Sequence, residues 1–264
     1  MSLALSRNNR IRLVAGLALA GAVVFCVLPP LAQPESYHHF IDDRTMLGIP
    51  NCLNVISNLP FAVVGVMGMW WLGRKRAPGG KGGFVETRER LPYALFFAGA
   101  FLTCFGSAYY HWSPNDATLL WDRLPMTLAF MGLLAAMVAE RIEVQAGLVL
   151  LWPLVIMGAG TAWWWRWTGN LWPYAGAQYF SIVLIALLLV MFPARYTRSG
   201  DLVWITAFYI LAKVFEAMDR PVFSWTNGVV SGHTIKHLVA ALAVYWVVRM
   251  LRNRILRVEC NEKS

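Results

Sequence analysis

Five residues of this chain have the types and spacings of a hydrolytic site. His233 and His237 stand four apart in His-Thr-Ile-Lys-His, so a helix puts both imidazoles on one face, where they can share a metal ion. His111 closes Gly-Ser-Ala-Tyr-Tyr-His, with Ser107 four residues earlier on the same face. Asp122 follows in Leu-Leu-Trp-Asp-Arg-Leu-Pro-Met. Three neutral imidazoles and a water form a common catalytic zinc arrangement. Zinc lowers the pKa of such a water to about 7. A carboxylate beside it can serve as general base and then acid. A serine can donate to the developing oxyanion or orient the carboxylate. Each residue alone has a blander reading. The His pair can be interfacial, Ser107 can bond its own helix backbone, and Asp122 can answer a helix dipole, with Arg123 as an ion-pair partner.

What makes them a set is the elements that carry them. The 264 residues are 58% hydrophobic and only 14% charged, with a mean hydropathy of +0.52. Soluble chains run at roughly 45–50% apolar and about 25% charged. The composition excludes a soluble enzyme, a disordered chain and a disulfide scaffold. Long apolar runs, in place of short alternating strands, exclude a barrel. Cys26, Cys52, Cys104 and Cys260 show no CxxC spacing and no evident pairing. The fold class expected is an all-α polytopic membrane protein.

A spanning helix takes about 20 apolar residues. Eight stretches qualify, at about 11–31, 52–72, 91–111, 119–140, 145–165, 174–193, 202–219 and 230–250. The first follows Arg7, Arg10 and Arg12 and has the look of a signal peptide, but its apolar core is long, so a retained helix or signal anchor is expected. With the N-terminus in the cytoplasm, inside segments hold 17 of the 23 Lys and Arg residues. Outside segments hold only Arg44, Arg123, Arg166 and Arg220. This split supports eight spans with both termini cytoplasmic. It also reads the net charge of +9 as a topology signal and not a nucleic-acid surface. Trp163, Trp164, Trp165, Trp167 and Trp172 crowd the outer end of the fifth span, as indoles do at an interface. The alternation puts His111, Asp122, His233 and His237 at the same end of their helices, so they can converge.

In order and local spacing these residues resemble the alkaline ceramidase family. That family belongs to a membrane hydrolase superfamily that also includes progestin and adiponectin receptors. The resemblance rests on Ser107-xxx-His111, Asp122 in Asp-Arg-Leu-Pro-Met and His233-xxx-His237. Asn54, Ser57 and Asn58 resemble the family's first-helix signature, and the likeness extends over about 35–250. It implies a seven-transmembrane-helix core over 35–250, with residues 1–34 an added N-terminal transmembrane helix and 251–264 a basic cytoplasmic tail. It implies that His111, His233 and His237 hold zinc, that Asp122 and Ser107 assist catalysis, and that ceramide is cleaved to fatty acid and sphingoid base. The partner expected is a membrane lipid, ceramide or another N-acyl lipid; oligomeric state is not legible. The family's acidic calcium run is replaced by Tyr-His-His-Phe-Ile-Asp-Asp-Arg, which leaves Asp42, Asp43 and Asn51 as candidate Ca2+ ligands of imperfect spacing. His38 and His39 read as loop residues.

Lys213, Glu216 and Asp219 recur three apart. An ion pair between the first two is expected, and Asp219 is a candidate for the substrate headgroup. Glu140 and the methionines are assigned no chemistry. Three rival readings compete with the zinc amidase. They are a receptor on the same scaffold with a structural zinc, a haem carrier using paired histidines, and a transporter using the intramembrane charges. A short chain with basic cytoplasmic loops points to a bacterial inner membrane, with the site toward its outer side.

Overall fold

The structure, a computed structural model, describes residues 5–75 and 77–257. Helices account for nearly all regular structure among them. In chain order they are α1 (Arg7–Val27), α2 (Cys52–Ile56), α3 (Leu59–Gly73), α4 (Arg90–Trp112), α5 (Asp116–Arg141), α6 (Val144–Thr168), α7 (Trp172–Ala175), α8 (Ser181–Met191), α9 (Asp201–Ala217), α10 (Asp219–Trp225) and α11 (Gly232–Asn253). A π-helical turn, 176–180, joins α7 to α8. Of the tail expected over 251–264, residues 258–264, with Cys260 and Lys263, lie outside the described residues, as does Arg76.

Among the described residues seven helical segments, with α2–α3 and α7–α8 each taken as one, are long and apolar enough to cross a membrane, and they fit an integral membrane protein. The remaining stretch, expected over 202–219, is α9, Asp201–Ala217. Its 17 residues rise about 25 Å at 1.5 Å per residue, a little under the roughly 30 Å of hydrocarbon, so length alone leaves it out of the seven. It ends because the chain turns at Met218 into α10. Bulky apolar side chains such as Leu19, Val63, Trp70, Ile156, Val190 and Val203 point outward. In water that belt would be a liability, whereas in lipid it needs no partner.

α4 and α5 form the most extensive helix pair; α3 packs on α4, α6 and α8 pack on α5, and α11 packs on α3 and carries α9. α1 rides on the periphery against α7 and α8, with Phe25 against Phe180 and Trp172. The proline of Asp-Arg-Leu-Pro explains how α4 and α5 come so close. Pro125 has no N–H, so the Trp121 carbonyl loses its helical partner. A Cβ on Gly106 would stand 2.0 Å from that carbonyl oxygen. Only glycine admits this approach, and it brings Ser107 and Asp122, the next residue on each helix, to face one another. Gly232 does the same at the start of α11, where a Cβ would stand 2.2 Å from the Phe215 carbonyl of α9.

The segment read as one span over 52–72 breaks at Ser57-Asn58. Pro60 is responsible, since it cannot donate to the residue four before it. The break lets Asn54 and Asn58, both wholly buried, turn their amides to local and cross-helix partners. Asn58 donates to the Asn54 carbonyl at 2.8 Å, and Asn54 accepts from the Thr234 hydroxyl of α11 at 2.9 Å. At the opposite end of the bundle, Arg254 is buried. It pairs with Glu140 and stacks on Phe84, Tyr93 and Tyr196. The part of the basic tail next to α11 is thus a packed lock against α5.

Candidate metal centre and lipid cavity

The imidazoles of His111 on α4 and of His233 and His237 on α11 meet in the interior, each 5% exposed or less. Nε2 of His111 stands 3.3 Å from Nε2 of His237 and 3.3 Å from Nε2 of His233. Their ligand atoms all lie within 4.8 Å of one another, and this trio is a group able to hold a metal ion. Phe40 roofs it, with ring centroids 4.7 Å from His111 and 4.9 Å from His233. Sequence separation is bridged by helix geometry: His111 lies in the last turn of α4 and His233 in the first turn of α11. Ser231 caps α11 by accepting from the Thr234 N–H, and Asp219 accepts the His233 N–H at 2.8 Å.

The chemistry of the donor set fits a divalent cation. Three buried imidazole nitrogens facing one another have no mutual satisfaction as three lone pairs, and a cation resolves them. The tautomer agrees at His237. The Ser57 hydroxyl donates to the Asn54 carbonyl, so its oxygen accepts from His237 Nδ1–H at 2.7 Å. That leaves the lone pair on Nε2, aimed at the cluster. One contact competes. Lys236 Nζ lies 2.9 Å from His233 Nε2 and 3.1 Å from Glu216, so an ion at the trio needs Lys236 turned wholly to Glu216.

Asp122 is buried in the second turn of α5, inside the helix and not at its start. The N-cap is Asn115, which accepts from the N–H groups of Ala117 and Thr118. The Ser107 hydroxyl lies against the Asp122 carboxylate. Asp122 is not paired with Arg123, which turns away to donate to Gln33 and stacks on Trp165 and Tyr174 at 3.8 and 4.6 Å.

These groups form one end of a cavity of about 280 Å³. Ser107, Asp122, His237, Lys236 and Glu216 line it beside Tyr37 and Gln33. The other arm is apolar, walled by residues such as Phe96, Phe130, Leu133, Ile185, Ile205 and Val244. Asp122 and Leu133 are eleven residues apart on α5, about 16 Å of helix, so the apolar arm runs deep into the bundle. Burial pushes the Tyr37 hydroxyl far above its ordinary range, so it stays a donor, to Glu216 Oε1 at 3.3 Å.

The structure places the remaining candidates in the following contacts. Asp42 gives both carboxylate oxygens to Arg44 at 2.7 Å, Asp43 is exposed, and Asn51 donates to the His111 carbonyl at 2.8 Å. Asp219 accepts from the His233 and Ile41 N–H groups. Lys213 forms the expected pair with Glu216, and Lys236 joins it. His38 bridges the Tyr110 hydroxyl and Asp116 at 3.1 and 3.2 Å, while His39 is exposed. Sequence reasoning placed no function on Lys236, Arg123, Tyr37 or Gln33. The one available signal was that Lys236 and Arg123 are charges within or beside predicted spans.

The Ceramidase family model matches residues 48–264, a match that begins after α1 and takes in every residue of the trio with Ser107 and Asp122. No curated protein matches the sequence.

Proposed function

The chain belongs to the ceramidase family, and from that premise we propose that it is a zinc-dependent hydrolase of a lipid amide, with ceramide the first substrate to test. Membership implies a hydrolase acting on amides and a lipid substrate such as ceramide. The observation that carries the finer reading is the convergence of three buried imidazole nitrogens at a cavity wall that also holds Asp122 and Ser107. His111, His233 and His237 would hold the ion. Zinc there supplies a Lewis acid and a lowered pKa for water.

The protein's own groups do the rest. The apolar arm takes the acyl chain, entering from the bilayer, and sets the amide at the Ser107–Asp122 layer. Ser107 donates to the carbonyl oxygen as negative charge builds there. Asp122 takes a proton from the attacking water. The C–N bond breaks, and Asp122 returns the proton to the leaving nitrogen. Water and amide thus become a fatty acid and an amine, a sphingoid base when ceramide is cleaved. Burial of Ser107 and Asp122 strengthens each of these electrostatic contacts. The seven-helix unit over 35–250 carries this chemistry, with residues 1–34 an addition. Both termini lie in the cytoplasm and the site faces the outer side of a bacterial inner membrane.

The test is fatty-acid release from ceramide by purified, zinc-loaded protein, with His237→Ala alongside. Release that disappears in the variant supports the reading. Retained zinc with no release from ceramide or any other N-acyl lipid rejects it and favours a receptor with a structural metal.

A further inference from the structure

Arg123 is 4% exposed and lines the cavity, yet among the described residues no carboxylate pairs with it. Its Nη2 donates to Gln33, but Nη1 is buried with no hydrogen-bond partner. Stacking on Trp165 and Tyr174 compensates the positive charge in part. It does not satisfy the N–H. A buried guanidinium left in this state is costly, and burial without a partner is rare enough to need a reason.

The other charges of the cavity do not supply one. Lys213 and Lys236 both pair with Glu216. Asp122 faces Ser107. The lining therefore holds three cations, Arg123, Lys213 and Lys236, against two carboxylates, Asp122 and Glu216. By formal count, with neutral imidazoles, the lining has one more cationic than anionic side chain, before any metal ion is counted.

Position then says which part of a ligand would meet it. An acyl chain lies in the apolar arm toward Leu133, and the amide lies at Asp122. Arg123 follows Asp122 on α5 and donates to Gln33, which puts it at the polar end of the cavity, ten residues of helix from Leu133. Whatever follows the amide nitrogen is held there. We propose that Arg123 is a binding residue for an anionic group, a carboxylate or phosphate, carried on the amine half of the N-acyl lipid. Guanidinium is suited to either, since its fork of N–H donors matches two oxygens. This rests on the amide-hydrolase reading for the pose, and deepens it by naming a charged substrate class beyond neutral ceramide. A free fatty-acid carboxylate has the same chemistry, so the two sources must be separated.

The experiment measures binding by displacement of a fluorescent lipid from the purified full-length protein. Three probes share one acyl chain: an N-acylglycine, the matching N-acylethanolamine and the free fatty acid. Wild-type protein is expected to bind N-acylglycine about tenfold or more tighter than N-acylethanolamine, the size of one charge-assisted hydrogen bond. Arg123→Gln is expected to collapse that ratio, and Arg123→Lys to keep part of it. Equal binding of the two amides by wild type overturns the proposal. So does a ratio that survives Arg123→Gln, or a loss of all binding that Arg123→Lys fails to rescue, which marks a structural role. An Arg123-dependent preference confined to the free fatty acid overturns it too, in favour of a product clamp. Turnover of the same amides is scored separately. Absent hydrolysis with the binding ratio intact sinks the hydrolase reading and leaves the anion site standing.

Discussion

The Ser57 hydroxyl oxygen lies 2.7 Å from Nδ1 of His237, across 180 residues of sequence. The same hydroxyl donates to the Asn54 carbonyl, so the contact fixes both the ring's orientation and its tautomer. Groups that hold a ligating histidine in this way are typically worth about 10–100-fold in metal affinity or activity. Ser57→Ala is therefore expected to lower zinc affinity by that amount, measured by chelator competition on purified protein. Unchanged affinity would show that His237 is oriented by packing alone.

The roles assigned to the trio and to Asp122 separate cleanly. His111→Ala, His233→Ala and His237→Ala should each lose zinc, measured by elemental analysis. Asp122→Asn keeps the shape and the zinc but removes the proton acceptor. Its turnover should fall about 10²–10⁴-fold, the usual range for a general acid–base group. Normal zinc in all three histidine variants would remove the metal site. Full turnover by Asp122→Asn would remove the base assignment.

The grouping of His111, His233 and His237 was legible because helix period and charge alternation are local signals. Each histidine could be assigned to a helix end without knowing its neighbours. The contacts around the trio were not legible, because they are tertiary. Nothing near Lys236 announces Glu216, twenty residues back. Nothing near Arg123 announces Gln33, and the adjacent Asp122 misled by offering a nearer partner. Pro125 and Gly106 were visible as residues, but their effect needs two helices. One frees the Trp121 carbonyl and the other makes room for it. The end of α9 was legible only to within two residues for a similar reason. Apolar residues run on to Met218, while the turn after Ala217 is held in place by the bond between Asp219 and His233.

Lys236 competes for the lone pair that His233 would give to an ion. Two unit charges 4 Å apart interact by about 4 kcal/mol at an effective dielectric near 20. Removing this one should favour the metal, while Lys213 still pairs with Glu216. Lys236→Met is expected to tighten zinc binding by about tenfold or more, read by the same chelator competition. Weaker binding in Lys236→Met would mean that the lysine positions the trio and does not oppose the ion.

The orientation drawn from the basic residues is open to direct test in a bacterial host. Both ends of the chain should report the cytoplasm. Green fluorescent protein fused after Ser264 should fluoresce, and alkaline phosphatase fused there should be inactive. Phosphatase fused within the 28–50 loop, after truncation of the remainder, should be active. The opposite pattern would invert the bundle and put the Ser107–Asp122 layer toward the cytoplasm.

The closest backbone approach near the site gives the last prediction. A Cβ at Gly106 would fall 2.0 Å from the Trp121 carbonyl oxygen, and backbone cannot swing aside as a side chain would. Gly106→Ala must push α4 from α5 just where Ser107 faces Asp122. Overpacking of this kind typically costs about 1–3 kcal/mol, and a small misplacement of reacting groups can cost about 10²-fold in rate. The thermal midpoint in detergent should therefore fall, and turnover should fall further than the lost stability explains. Gly16→Ala is the control. It lies in α1 with open space around it, and alanine favours a helix over glycine. Its midpoint should hold or rise. Equal behaviour of the two variants would show that the α4–α5 contact does not set the geometry of the Ser107–Asp122 pair.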